Sequence, residues 1–269
     1  MSQASTITHP TATQRRGHIA WQAVTKVPQI AVIFWVIKLL TTALGESAAD
    51  YSVVAINPYI AVVGGFVILV VALIFQFRAK RYQPVTYWFT VAMVAVFGTM
   101  AADVLHVQFG VSYLASTVFF ALVMLGMFAL WYRTEKTLSI HSIHTRRRET
   151  FYWLTIMATF ALGTAAGDMT AMTLRLGYLT SIFVFAVLIA IPAAAYWLFK
   201  ANAIVTFWCA YIITRPLGAS IADWLGKPAS IGGLGIGDGA VTLALTITLI
   251  IAVGYVALTH TDSQRRATH

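Results

Sequence analysis

One spacing occurs four times in this chain and constrains it more than anything else. Trp35/Gly45/Asp50, Trp88/Gly98/Asp103, Trp153/Gly163/Asp168 and Trp208/Gly218/Asp223 all read W-x9-G-x4-D, and an aromatic residue (Phe34, Tyr87, Tyr152, Phe207) precedes each Trp. Three residue types at fixed offsets in four apolar segments define a repeat, and the repeat is the unit of architecture. With 59% hydrophobic and only 10% charged residues, such a unit belongs to a polytopic membrane protein rather than a soluble domain.

The apolar runs are eight, near Ile30–Asp50, Ile60–Phe77, Pro84–Val104, Ser112–Tyr132, Phe151–Met169, Tyr178–Phe199, Ile204–Leu225 and Ala240–Leu258. Most approach the ~20 residues that cross a bilayer as a helix. Outer-membrane strands would be shorter and would alternate apolar with polar, which these runs do not. The expected fold is an all-α membrane protein of eight transmembrane helices, arranged as four parallel helical-hairpin repeats over about 29–78, 84–132, 149–199 and 203–258. Residues 1–28 read as a mobile cytoplasmic segment, 29–259 as the membrane domain and 260–269 as a cytoplasmic tail. No removable signal peptide is expected.

The net charge of +9 reports topology, not nucleic-acid binding. Fourteen of the 18 Lys and Arg residues fall on alternate connections or the ends, including Arg15, Arg16, Lys26, Arg78, Arg146 to Arg148, Arg265 and Arg266. The opposite side holds only Arg175 and Lys227, so both termini of a multi-pass protein are expected in the cytoplasm. The single cysteine, Cys209, supports neither a disulfide framework nor a cysteine zinc site.

Each unit is then a hairpin whose first helix carries the frame. Two crossings restore the chain direction, so the four framed helices are expected to run parallel. Trp35, Trp88, Trp153 and Trp208 fit an interfacial belt and, with the frame glycines, are expected to serve repeat packing. Gly45, Gly98, Gly163 and Gly218 suit close helix approach, as small residues do in membrane interfaces.

The carboxylates carry the chemistry. Asp50, Asp103, Asp168 and Asp223 are joined by Glu46, one turn before Asp50 on the same face. Lys38, Thr42, Glu46 and Asp50 follow at intervals of four as one polar stripe, and Arg215 stands eight residues before Asp223. An ionised group at a helix centre facing lipid costs ~2.5–3.5 kcal/mol, so these groups face the interior, pair or reach water. The candidate cation or proton ligands are thus Glu46, Asp50, Asp103, Asp168 and Asp223, with Lys38 and Arg215 as charge partners. Oxygen ligands favour protons, Na⁺, Mg²⁺, Mn²⁺ or Ca²⁺ over soft metals.

Other motifs point elsewhere. His141 and His144 form an H-x2-H in a basic connection with no further ligands nearby. Gly232–Gly239, GGLGIGDG, matches neither a dinucleotide nor a Walker loop, and no cofactor is expected. Its Gly235-Ile236-Gly237-Asp238 resembles the G-x-G-D motif of intramembrane aspartyl proteases, for which Asp223 is the candidate second carboxylate.

The segments FWVIKLLTTALGESAADY and YIITRPLGASIADWL resemble the bacterial membrane proteins built from the DUF347 repeat of unknown function, over about Lys26 to Leu258. The resemblance implies an eight-helix inner-membrane protein and carries no activity with it. The residues themselves point first to a secondary transporter or exchanger of a small cation, proton-coupled and plausible for a divalent metal. A non-transporting scaffold or sensor and an aspartyl protease are the alternatives. The expected partners are the lipid bilayer and the small cation or proton.

Overall fold

The computed structural model describes residues 25–259 and 261, and these form helices without strands. The first 24 residues of the N-terminal segment, with Arg15 and Arg16, and almost all of the tail, with Arg265 and Arg266, lie outside the described residues. The helices are α1 (Val32–Ala55), α2 (Pro58–Arg78), α3 (Pro84–Asp103), α4 (Tyr113–Glu135), α5 (Arg146–Asp168), α6 (Gly177–Phe199), α7 (Ala203–Gly226) and α8 (Asp238–Thr259).

Local chemistry explains most of the boundaries. Asn57 accepts from the Tyr59 amide with Pro58 opening α2, Ser112 accepts from the Ala115 amide, and Asn202 accepts from the Ile204 and Val205 amides. Thr145 caps α5 in the same way, accepting from the Arg148 amide. The helix therefore begins five residues before the apolar run that announces it, and Arg146 to Arg148 form its first turn rather than a loop.

Seven of the helices are long and apolar enough to cross a membrane. The other is α5, whose charged first turn and many Thr and Gly residues dilute it.

The framed helices α1, α3, α5 and α7 close a ring, each packing against the next and α7 returning to α1. The second helices form an outer shell, but not as hairpins. Each packs chiefly on the framed helix of the following repeat: α2 on α3, α4 on α5, α6 on α7, and α8 back on α1. Burial follows this division. In α1, α3 and α7, 61–67% of the residues in the apolar stretch are buried, against 11–22% in α2, α4, α6 and α8. The shell presents Phe66, Val67, Phe119, Phe183 and Ile250 outward.

The frame glycines set the ring's closeness. A Cβ on Gly45 would lie 2.3 Å from the Ala95 Cβ, and one on Gly98 would lie 2.8 Å from the Phe160 Cβ. On Gly163 it would meet the Arg215 Cγ at 2.2 Å, and on Gly218 the Thr42 Oγ1 at 1.9 Å. Each glycine thus seats the residue three places before the next glycine in the ring, and four equivalent contacts close the circle.

The Trp end is closed by the same rule. Phe34 packs on Trp88 (5.5 Å between ring centres), Tyr87 on Trp153 (5.7 Å), Tyr152 on Trp208 (6.3 Å) and Phe207 on Trp35 (5.8 Å). Trp88, Trp153 and Trp208 are consequently buried, and only Trp35 keeps partial exposure. The interfacial-belt expectation fails for those three because neighbouring framed helices and the outer shell cover their indoles.

Lys26 also departs from its expected aqueous setting. It is buried, with its Nζ 2.6 Å from Glu149 Oε2, and Gln76 donates to the other carboxylate oxygen at 3.2 Å. This triad ties the start of the described chain to α2 and α5.

Candidate functional site

Residues at intervals of four share one face of a helix, and the polar stripe of α1 continues through the whole ring. The stripe is Phe34, Lys38, Thr42, Glu46, Asp50 in α1 and Tyr87, Val91, Ala95, Thr99, Asp103 in α3. In α5 it is Tyr152, Ile156, Phe160, Thr164, Asp168, and in α7 Phe207, Tyr211, Arg215, Ala219, Asp223. Read across the four helices, these stripes stack as five layers, about 6 Å apart. The first four layers are all buried, whereas Asp50, Asp103 and Asp168 in the fifth keep partial exposure. Along these stripes exposure is therefore found at the Asp end and not at the Trp end.

The aromatic first layer is joined by a hydrogen bond between the Tyr87 and Tyr152 hydroxyls. In the second layer the Lys38 ammonium lies 4.1 Å from the ring centres of both Phe160 and Tyr211 and has no hydrogen-bond partner. Two ring faces thus flank the amine where an anion would otherwise stand.

Arg215, from the third layer, reaches into the fourth. Its Nη2 donates to Glu46 Oε2 at 2.7 Å, to Thr164 Oγ1 at 2.6 Å and to Thr99 Oγ1, while Nη1 donates to the Thr42 carbonyl at 3.2 Å. Thr99 and Thr164 in turn donate to Glu46 Oε2 at 3.3 and 3.4 Å. One guanidinium thereby binds groups on the other three framed helices. Pro216 follows it and rests against Gly163, 3.1 Å from the position of an added Cβ.

The Asp layer divides into two arrangements. Asp50 pairs with Lys227 at 2.6 Å, and Lys227 also reaches Asp238 at 3.4 Å. Burial opposes the charge on Lys227, but Asp50 and Asp223 outweigh it, so its pKa is raised above the ordinary lysine value. Asp168 and Asp223 instead converge on Glu46, with one carboxylate oxygen of each within 4.8 Å of the others. Among the described residues, no hydrogen bond or ion pair engages the side chains of Asp103, Asp168 or Asp223.

Two framed helices change geometry at their Asp. After Asp103 the chain winds as a π-helix over Val104–Gln108, and after Asp168 over Met169–Thr173, whereas α1 and α7 run on through Asp50 and Asp223. Such turns occur frequently at functional sites because they widen a helix locally.

The glycine-rich segment folds back on the end of α7. Gly235, Ile236 and Gly237 donate to the Lys227, Leu225 and Gly226 carbonyls, and Asp238 begins α8 beside Lys227. Gly235 and Gly237 have φ of +74° and +91°, the left-handed region that glycine enters freely. The G-x-G-D sequence here makes a strap along the end of α7.

Three contributors escape a reading of the chain by itself. Thr99 and Thr164 follow their frame glycines as Glu46 follows Gly45, and aligning the repeats would have exposed them. Lys227 lies four residues after Asp223, a spacing that suggests a local pair, yet its partner Asp50 is 177 residues away.

A family profile described as a repeat of unknown function, DUF347, matches residues 33–82, 86–137, 151–202 and 206–262, one match per repeat. Neither the curated proteins nor the solved structures include a match to this chain.

Proposed function

Since the chain belongs to the DUF347 repeat family, defined as a repeat of unknown function, we propose its activity from the site itself: a secondary transporter or exchanger of a small cation, coupled to protons and suited to a divalent metal. The observation that carries this reading is the approach of Glu46, Asp168 and Asp223 within 4.8 Å. Carboxylates so close require positive charge among them, as protons or as a metal ion. Arg215 answers for Glu46 and Lys227 for Asp50, which leaves Asp103, Asp168 and Asp223 without a basic partner. The hard carboxylate oxygens of Glu46, Asp168 and Asp223 fit a proton, Na⁺, Mg²⁺, Mn²⁺ or Ca²⁺.

In this reading α5 is the eighth crossing, the four framed helices run parallel, and both termini are in the cytoplasm of a bacterial inner-membrane protein. The Asp layer then opens outward, and the aromatic layer seals the cytoplasmic side. Transport requires the Phe34, Tyr87, Tyr152 and Phe207 layer and the Arg215–Glu46 contacts to part in a second state.

Proteoliposomes holding the full chain test the proposal. Asp168→Asn and Asp223→Asn should each abolish proton-linked Mn²⁺ or Mg²⁺ flux while gel filtration and melting temperature stay near those of the parent. Wild-type flux in both variants would remove these residues from the pathway. Lys227→Gln removes a competing cation at the mouth. It should tighten cation binding about fivefold, as expected for one unit charge worth about 1 kcal/mol; weaker binding would show that Lys227 orders the site instead. The four sealed layers favour a second reading, a cation-sensing scaffold, which predicts saturable cation binding and no flux by the parent protein.

A further inference from the structure

An open groove of about 320 Å³ lies on the outer shell at the Trp end, far from the Asp layer. It is lined by Val70, Leu73, Ile74 and Phe77 of α2, by Arg78 at the end of that helix and by Arg146 at the start of α5. Its two guanidiniums are uncommitted. Arg147 and Arg148 both pair with Glu135, and Glu149 is taken by Lys26 and Gln76. Among the described residues Arg78 and Arg146 therefore have no acid partner, and both are exposed.

We propose that this groove binds one anionic phospholipid. The apolar wall from Val70 to Phe77 takes the start of an acyl chain, and Arg78 and Arg146 hold the phosphate between them. Val70 and Arg78 are eight residue steps apart, about 12 Å of helix, so one molecule reaches both ends. Guanidinium binds phosphate through paired hydrogen bonds, and basic pockets between membrane helices on the cytoplasmic side select acidic headgroups. The apolar wall excludes free phosphate as the natural occupant. This inference rests on the membrane-spanning reading of α2 and is independent of the cation site.

Native mass spectrometry of the full chain, released from nanodiscs of equal parts phosphatidylglycerol and phosphatidylcholine, tests it. The parent protein should keep one phosphatidylglycerol. Arg78→Gln/Arg146→Gln should bind it about twenty-fivefold more weakly, each basic contact being worth about fivefold. Lys80→Gln/Arg81→Gln removes the same charge from the neighbouring connection and should leave retention unchanged. Equal retention of phosphatidylcholine by the parent, unchanged retention in the first variant, or equal loss in the second would each overturn the proposal. All four residues are exposed, so the substitutions leave packing intact, which gel filtration verifies.

Discussion

Arg215→Met is expected to destabilise the ring by about 3–5 kcal/mol, the usual cost of breaking a buried ion pair from one side. The substitution keeps much of the side chain's length but leaves Glu46 inside the ring with only the Thr99 and Thr164 hydroxyls donating to it and the Asp168 and Asp223 carboxylates close by. Glu46→Gln should also destabilise, because the guanidinium then faces a neutral amide. The double variant Arg215→Met/Glu46→Gln should recover much of the single losses, since neither charge is stranded. Melting of the purified protein in nanodiscs measures all three. Strictly additive losses would show that Arg215 acts through packing against Gly163 rather than through its bond to Glu46.

Gly218→Ala should be similarly damaging for a purely steric reason. The new methyl would lie 1.9 Å from the Thr42 Oγ1, 2.7 Å from its Cβ and 3.0 Å from the Ala43 amide nitrogen, so α1 and α7 must separate. Overpacking costs about 1–3 kcal/mol where side chains yield. Here backbone stands in the way, and a loss at or above the upper end of that range is expected. Gly64→Ala and Gly126→Ala, where an added methyl meets nothing within 4 Å, should leave the melting temperature unchanged and serve as controls. Equal tolerance of all three substitutions would mean that the ring is not packed through its glycines.

The ring was close to legible in the chain. The W-x9-G-x4-D frame marks the inner helices, and the interval-of-four stripe in α1 picks out Lys38, Thr42, Glu46 and Asp50, which lie on the axis. Extending that stripe to the other repeats would have placed Arg215 one layer before Thr99 and Thr164. Which outer helix covers which inner helix was not legible, because loop lengths allow α2 to lie on α1 or on α3 and only tertiary packing selects α3. Trp208 of α7 is covered by Phe128 and Trp131 of α4, a pairing that likewise only tertiary packing selects. Burial of Lys26 depends on Glu149, a residue 123 places away that no local pattern connects to it.

The layered axis also bears on how such a chain could arise. Four separate copies of one repeat could assemble a ring of the same outline, but symmetry would then place four identical residues in every layer. Four Glu at the level of Glu46, or four Arg at the level of Arg215, would repel one another in a buried space with no counter-charge. One arginine set against one glutamate and two threonines is attainable only when the copies are covalently joined and free to diverge. Fusion into a single polypeptide is thus what permits an asymmetric charged interior within a fourfold frame.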